Sequence, residues 1–263
     1  ILLAGLNVKG TIKIKENYPS RNHTEIMLKF LGVKIKKSKK IISLESPNFI
    51  KPKDLHIPGD FSSAAFVIVA TLITKQSNVC IKDVGLNYFR TGLIDILKKM
   101  NAKIYIENKR SLNGELIGDI KIKSSKLNSV IVSQKISPRL IDEYPILFVA
   151  ASYASGISKF YGLSELKLKE SDRLKTMAEA LKNAGVRILE NEDSIEIHGK
   201  ENNIGGNIVQ TSFDHRIAMS MLVFGLGSEK SIKIDDMKMI NTSFPNFKEI
   251  LEKIGAKIEH IHK

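Results

Sequence analysis

The chain has 263 residues, 43% of them hydrophobic, with one cysteine and no tryptophan. A chain of this size buries roughly three quarters of its unfolded surface, so disorder and a disulfide scaffold are both excluded. Forty-one Lys and Arg against 28 Asp and Glu give a net charge of +13 and a pI near 9.6, which favours anionic partners (phosphorylated metabolites, nucleic acid or membrane surfaces) without choosing among them. No apolar run reaches the roughly 18 to 20 residues that span a bilayer, so no membrane association is expected. The start, Ile1-Leu2-Leu3-Ala4-Gly5, has neither an initiator Met nor a preceding basic stretch and is expected to lie inside a longer product. Cys80, in the alternating run Val79-Cys80-Ile81-Lys82, reads as a small core residue of a strand, and a lone thiol fits a reducing, cytoplasmic compartment.

In chain order, residues 1–6 form an apolar helix pattern, followed by a strand pattern at residues 10–14 and then by Ser20-Arg21-Asn22-His23-Thr24-Glu25, where Asn22 or Thr24 would cap an amphipathic helix over residues 26–31. That helix closes on Gly32. The same event recurs at Asn101, Gly185 and Gly255, at successive spacings of 69, 84 and 70 residues. A small residue just after the last apolar position is the expected left-handed cap, so the spacing is a domain-scale repeat. The lysines of residues 34–40 read as a solvated turn between strands. Residues 57–60, Ile-Pro-Gly-Asp, form a turn-rich joint where a domain boundary is expected.

Between the amphipathic helices lie helices apolar nearly all round, at residues 1–6, 63–73, 145–154 and 217–226, a pattern that demands burial on every side. Strand patterns follow at 78–84, 157–161 and 231–234, with a further pair at 187–189 and 194–198. The fold class is therefore α/β, with repeated βαβαββ units packed around buried helices. Residues 1–57 are expected to be the remnant of a first, largely missing domain, entered inside its buried helix, and residues 58–263 a second domain of three such units.

Three helix entrances carry chemistry. Lys169-Glu170-Ser171-Asp172-Arg173 precedes a helix over residues 174–183. It reads either as a capped start with its cations in solvent, or as an anion clamp with an acid beside it, since helix N-termini attract anions. Asp142-Glu143-Tyr144-Pro145 and Asp214-His215-Arg216 open two buried helices, with Asp142 and Asp214 in the cap positions and Pro145 in a first turn. Equivalent entrances converge in a pseudosymmetric domain, which would put Asp142, Arg216 and the 169–173 loop on one cleft. His23 reads as structural and His260 and His262 as solvent-facing. No His, Cys, Asp or Glu pair has metal-ligand spacing, Gly205-Gly206 is a turn, and neither a Rossmann nor a Walker motif occurs.

Taken together, residues 20–25, Pro58-Gly59-Asp60 with Ser62-Ser63-Ala64-Ala65-Phe66, Asp142-Glu143-Tyr144-Pro145-Ile146, residues 169–173 and Asp214-His215-Arg216 resemble the 5-enolpyruvylshikimate-3-phosphate synthase (3-phosphoshikimate 1-carboxyvinyltransferase) family. The likeness runs in order through the whole chain and is closest to the bacterial class with Asp-Glu-Tyr-Pro and Lys-Glu-Ser-Asp-Arg. It implies two domains of three βαβαββ units closing over substrate. The implied reaction, in aromatic amino-acid biosynthesis, moves the enolpyruvyl group of phosphoenolpyruvate to the 5-hydroxyl of shikimate 3-phosphate through a tetrahedral adduct that loses phosphate. It needs no cofactor.

By the same resemblance Asp142 orients and deprotonates the 5-hydroxyl, and Glu170 delivers the proton to the methylene carbon. Lys169 and Arg21 serve shikimate 3-phosphate, while Arg173 and Arg216 hold phosphoenolpyruvate through forks that lysine cannot reproduce. The family's early Lys-Ser and Arg set, its Gly-rich loop and its Ser-Gln-Lys-Ser stretch have no counterpart here. The lysine that some members place before the last Thr-Phe-Pro is also absent, the sequence reading Asn241-Thr242-Ser243-Phe244-Pro245. The chain alone is thus expected to lack turnover, and the parent to be a cytoplasmic monomer.

Two rivals remain. A UDP-N-acetylglucosamine enolpyruvyl transferase runs the same chemistry but needs a reactive loop cysteine, which strand-like Cys80 does not match. A nucleic-acid-binding module would suit the charge, but the lysines are scattered, aromatics make up only 6% and no recognition motif appears.

Overall fold

The four small residues that mark the repeat all take left-handed backbone in the computed structural model, which describes residues 1–259: Gly32 at φ 92°, Asn101 at 67°, Gly185 at 87° and Gly255 at 106°. Each ends an amphipathic helix. Around the first are α1 (Leu2–Gly5), β1 (Thr11–Lys15), α2 (His23–Phe30), β2 (Lys34–Ser38) and β3 (Ile41–Glu45), with the strands antiparallel in the order β1-β3-β2. Their inward residues, Ile35, Ile42 and Leu44, meet Leu28 of α2 and Val33 in a small core of their own.

The second unit runs α3 (Phe61–Ile73), β4 (Asn78–Gly85), α4 (Gly92–Lys99), β5 (Lys103–Leu112) and β6 (Glu115–Lys123), with sheet order β4-β6-β5. The third runs β7 (Ile131–Val132), α5 (Tyr144–Ser152), β8 (Gly156–Tyr161), α6 (Arg173–Asn183), β9 (Arg187–Glu190) and β10 (Ser194–Gly199), in the order β7-β8-β10-β9. β7 lies parallel to β8 across the buried helix α5. The last comprises β11 (Asn203–Gly205), β12 (Ile208–Val209), α7 (His215–Gly227), β13 (Ser228–Lys230), β14 (Lys233–Ile234), α8 (Lys238–Ser243) and α9 (Phe247–Lys253), with β11–β13 and β12–β14 as parallel pairs.

α3, α5 and α7 pack on one another at the centre of the larger core and the sheets lie outside them. Every residue of α5 is buried, as its all-round apolar sequence requires. Aromatic edges tie the helices to their surroundings, Phe66 against Phe247 and Phe148 against Phe160, and the Tyr153 hydroxyl donates to the Phe224 carbonyl at 2.6 Å.

Several expectations change. α1 is apolar all round, yet Ile1 and Leu3 are exposed and only Gly5 is buried, because no described element covers its outer face. Most of the lysine run is strand β2, which buries Ile35 and turns its lysines outward. Cys80 is on a strand as expected, but alternation places it on the outer face, where it is exposed. Of the strand pattern at 231–234 only Lys233–Ile234 is strand, as β14, while β13 ends before it at Lys230. No strand follows α9 among the described residues. His260 and His262 lie outside the described residues.

One close approach makes a stability prediction. A Cβ on Gly199 would sit 2.2 Å from the carbonyl oxygens of both Ala151 and Ala154, where β10 crosses the end of α5. Backbone cannot yield as a side chain can, so Gly199→Ala is expected to destabilise by roughly 1–3 kcal/mol, the usual range for overpacking. A thermal melt checks it.

Candidate active site

The carboxyl-bearing entrances of the three buried helices converge, and arginines from the surface-helix starts answer them. Asp60 caps α3, accepting from the Ser63 amide at 2.8 Å, and Asp214 caps α7, accepting from the Arg216 amide at 2.9 Å. The residue in this place before α5 is Glu143, whose side chain makes no cap bond. Asp142 is therefore not a helix cap. It lies in a short 3-10 turn (Ile141–Glu143) with its carboxylate freed for other partners, while Pro145 occupies the first turn as expected.

Those partners are cations. Arg21 Nη2 donates to Asp142 Oδ2 at 2.6 Å, Arg173 Nη1 stands 3.7 Å from Oδ1, and Arg216 Nη1 donates to the Asp142 carbonyl at 3.0 Å. Burial alone would push the Asp142 carboxyl up. The hydrogen bond from Arg21 and the charges of Arg216, Arg21 and Lys169 outweigh it, leaving Asp142 below the ordinary 3.8.

Arg173 is the most buried of the cations, only 1% exposed. Its Nε donates to Asp214 Oδ2 at 2.8 Å, and Asp214, itself fully buried, also accepts from the Ser171 hydroxyl at 3.0 Å. Arg173 Nη2 is paired with Glu170, whose side chain is 54% exposed. Asp172 caps α6, accepting from the Lys175 amide at 3.0 Å, so the cap reading and the clamp reading of this loop hold for different residues. The part of the cap reading that leaves Arg173 in solvent is overturned. Burial pushes Asp214 up, but the hydrogen bond and charge of Arg173 bring it below 3.8.

The structure thus gathers Asp142, Arg21, Arg173, Arg216 and Glu170 into one continuous set. Lys169 is at its edge, its ammonium on Glu165 Oε1 at 2.9 Å and its charge still felt by Asp142. His23 pairs with Glu115 at 2.6 Å, a structural contact.

Two participants, Glu143 and Arg90, escape a reading of local motifs. Glu143, 1% exposed, accepts from the Ser62 hydroxyl; Arg90 Nη2 donates to the same hydroxyl at 2.7 Å and to Asp60 Oδ1 at 3.1 Å; Arg216 Nη1 lies 3.9 Å from Glu143 Oε1. The repeat contains the missing signal. Arg21 stands two residues before α2 and Arg90 two residues before α4, separated by the same 69 residues that separate Gly32 from Asn101.

Both low carboxyl values have a consequence for stability. Unfolded carboxyls titrate near 3.8 and these titrate lower, so the folded state binds fewer protons. Their contribution is present above that value and is lost as pH falls through the folded values. Melting temperature is expected to drop steeply below about pH 4, and Asp142→Asn to flatten that limb, in melts taken from pH 7 to pH 2.

The architecture is that of the enolpyruvyl transferases. The enolpyruvyl transferase NikO from Streptomyces tendae superposes with a TM-score of 0.78 over 99% of this chain and 59% of its own, at 17% identity, a likeness of fold alone. The EPSP synthase (3-phosphoshikimate 1-carboxyvinyltransferase) family model matches residues 1–251, and the chain belongs to that family. EPSP synthase from Acinetobacter baumannii superposes with a TM-score of 0.94 at 40% identity, over 98% of this chain and 60% of that one. The 3-phosphoshikimate 1-carboxyvinyltransferases of Bartonella quintana and Bartonella henselae are 44% and 45% identical over 98% of the chain. The chain spans about 60% of the length of the curated relatives it matches. Among the described residues no helix is long and apolar enough to cross a membrane.

Proposed function

We propose that this chain supplies the acid–base pair and the phosphoenolpyruvate clamp for enolpyruvyl transfer to the 5-hydroxyl of shikimate 3-phosphate. The observation that carries the reading is the Asp142 carboxylate set among Arg21, Arg173 and Arg216, with a second, exposed carboxylate, Glu170, on Arg173. Two phosphorylated, multiply anionic substrates need fixed cations of this kind, and proton transfer needs two carboxyl groups in different settings.

In this reading Asp142 accepts the proton of the 5-hydroxyl as that oxygen attacks C2 of phosphoenolpyruvate, and Glu170 donates a proton to C3. The adduct then loses a C3 proton and inorganic phosphate to regenerate the enol ether. Asp142 suits the first role because the surrounding arginines keep it ionised at neutral pH. Arg216 and Arg173 bind phosphoenolpyruvate, and Arg21 and Lys169 face shikimate 3-phosphate. Arg216 enters with only Nη1 engaged among the described residues, which leaves the rest of its fork for a ligand. The phosphorylated substrates and the single thiol fit a cytoplasmic setting, and we take the protein to act as a monomer on these two small molecules, without nucleic acid. The division into residues 1–57 and 58–263 is our reading of the domains, supported by the separate small core around Leu28 and Leu44.

The test is a chimera in which this chain replaces the matched 60% of the Bartonella quintana relative. Phosphate release that requires both substrates is expected. Release with phosphoenolpyruvate and UDP-N-acetylglucosamine, but not shikimate 3-phosphate, would overturn the assignment.

A further inference from the structure

The guanidinium of Arg173 has three carboxylate neighbours that differ in how firmly they are held. Asp214 is fully buried and bonded on Nε; Asp142 stands at 3.7 Å from Nη1 and is itself fixed by Arg21; Glu170 meets Nη2 from a half-exposed position on a loop. The first two anchor the arginine. The third can leave, because its side chain faces solvent and its backbone belongs to the loop ahead of α6 rather than to the helix. Besides Glu170, Nη2 has only a long contact to Asp214 Oδ1, at 3.5 Å, among the described residues.

We infer that Glu170 is a built-in occupant of the Arg173 anion site, displaced when phosphoenolpyruvate binds, and that displacement makes it take up the proton it later donates. The inference rests on the proposed function for the identity of the anion, but the exchange itself requires only that some anion reach Arg173. An incoming carboxylate or phosphate oxygen takes Nη2. Glu170 then loses its cation and gains an anion as neighbour, and both changes favour its neutral form. One proton passes from solvent to the Glu170 carboxylate, so the donor carries its proton only when substrate is present.

The charged groups around Glu170 are Lys169 and Asp172 on its own loop, Arg173 at the start of α6, Asp214 and His215 at the start of α7, and Asp142 beyond the guanidinium. His215 could also take up a proton when an anion arrives, since burial first and then Arg216 hold its pKa below 6.5 in the free protein. The experiment must separate the two.

Isothermal titration of the chain with phosphoenolpyruvate and with inorganic phosphate, in buffers of different ionisation enthalpy, reads affinity and proton uptake together. Glu170 is half-exposed, so Glu170→Gln is expected to fold. It should bind phosphoenolpyruvate about two- to fivefold more tightly than the unaltered chain, the worth of one exposed ion pair no longer in competition. Proton uptake on binding, seen with the unaltered chain, should vanish. Weaker binding by Glu170→Gln would overturn the exchange, because Glu170 would then be helping rather than competing. Uptake that persists in Glu170→Gln and disappears in His215→Asn would assign the proton to His215 and overturn it as well. If inorganic phosphate shows the tightening and the lost uptake while phosphoenolpyruvate does not bind, the exchange stands and the proposed substrate fails. Turnover by the chimera without tightening in Glu170→Gln would leave the function standing and remove the exchange.

Discussion

Asp214→Ala is expected to cost about 3–5 kcal/mol of folding stability, the range found when one partner of a buried ion pair is removed. The magnitude follows from what is left behind. Arg173 is 1% exposed and cannot retreat to water, and its remaining partners, Glu170 and Asp142, sit on its other nitrogens. The Ser171 hydroxyl would also lose its acceptor and α7 its cap. If Asp214 were a helix cap and nothing more, the loss would be about 1 kcal/mol. Denaturant melts separate these. A companion variant sharpens the reading: replacing both members with apolar residues, Arg173→Met with Asp214→Leu, removes the stranded charge. It is expected to recover much of the loss, since a buried pair is worth little against a well-packed apolar pair. A double variant less stable than Asp214→Ala would mean that the pair holds the domain together by more than mutual compensation.

That Arg173 is buried was not visible in Lys169-Glu170-Ser171-Asp172-Arg173, where a run of five polar residues reads as surface. Burial there is a tertiary event, created when the start of α7 brings Asp214 across from 41 positions away. Features set by local geometry were legible: the left-handed caps at Gly32, Asn101, Gly185 and Gly255, the all-round burial of α3, α5 and α7, and the cap at Asp214. Features set by what lies opposite were not. Alternation placed Cys80 on a strand but could not say which face is covered, and apolarity promised burial to α1 although no described element covers it. Glu143 was hidden behind Asp142: both are acidic residues at one helix entrance, and nothing local distinguishes the cap position from the site. Arg90 could have been found from sequence by carrying the 69-residue spacing forward from Arg21, an argument from repeat position rather than from motif.

The largest functional effects are expected at the two carboxylates, measured in the chimera with the Bartonella quintana relative. Glu170→Gln preserves shape and hydrogen bonding but has no acidic proton, so kcat should fall on the order of 10²-fold or more, the usual worth of a general acid. On the proposed function, Asp142→Ala should lower kcat comparably and also raise the KM for shikimate 3-phosphate, since it would lose the proposed contact to the 5-hydroxyl and releases Arg21, whose guanidinium it holds at 2.6 Å. The two should differ in stability. Asp142 is three-sided by cations, so its removal leaves Arg21, Arg173 and Arg216 facing one another and should lower the melting temperature, whereas half-exposed Glu170 should be nearly silent. Arg173→Lys keeps the charge but cannot hold Asp214 and an incoming anion at once through a planar fork, and should mainly raise the KM for phosphoenolpyruvate. A Glu170→Gln chimera with near-normal kcat would remove the acid assignment outright. Because the residue is exposed and its ion pair contributes little, no loss of folding could be offered in explanation.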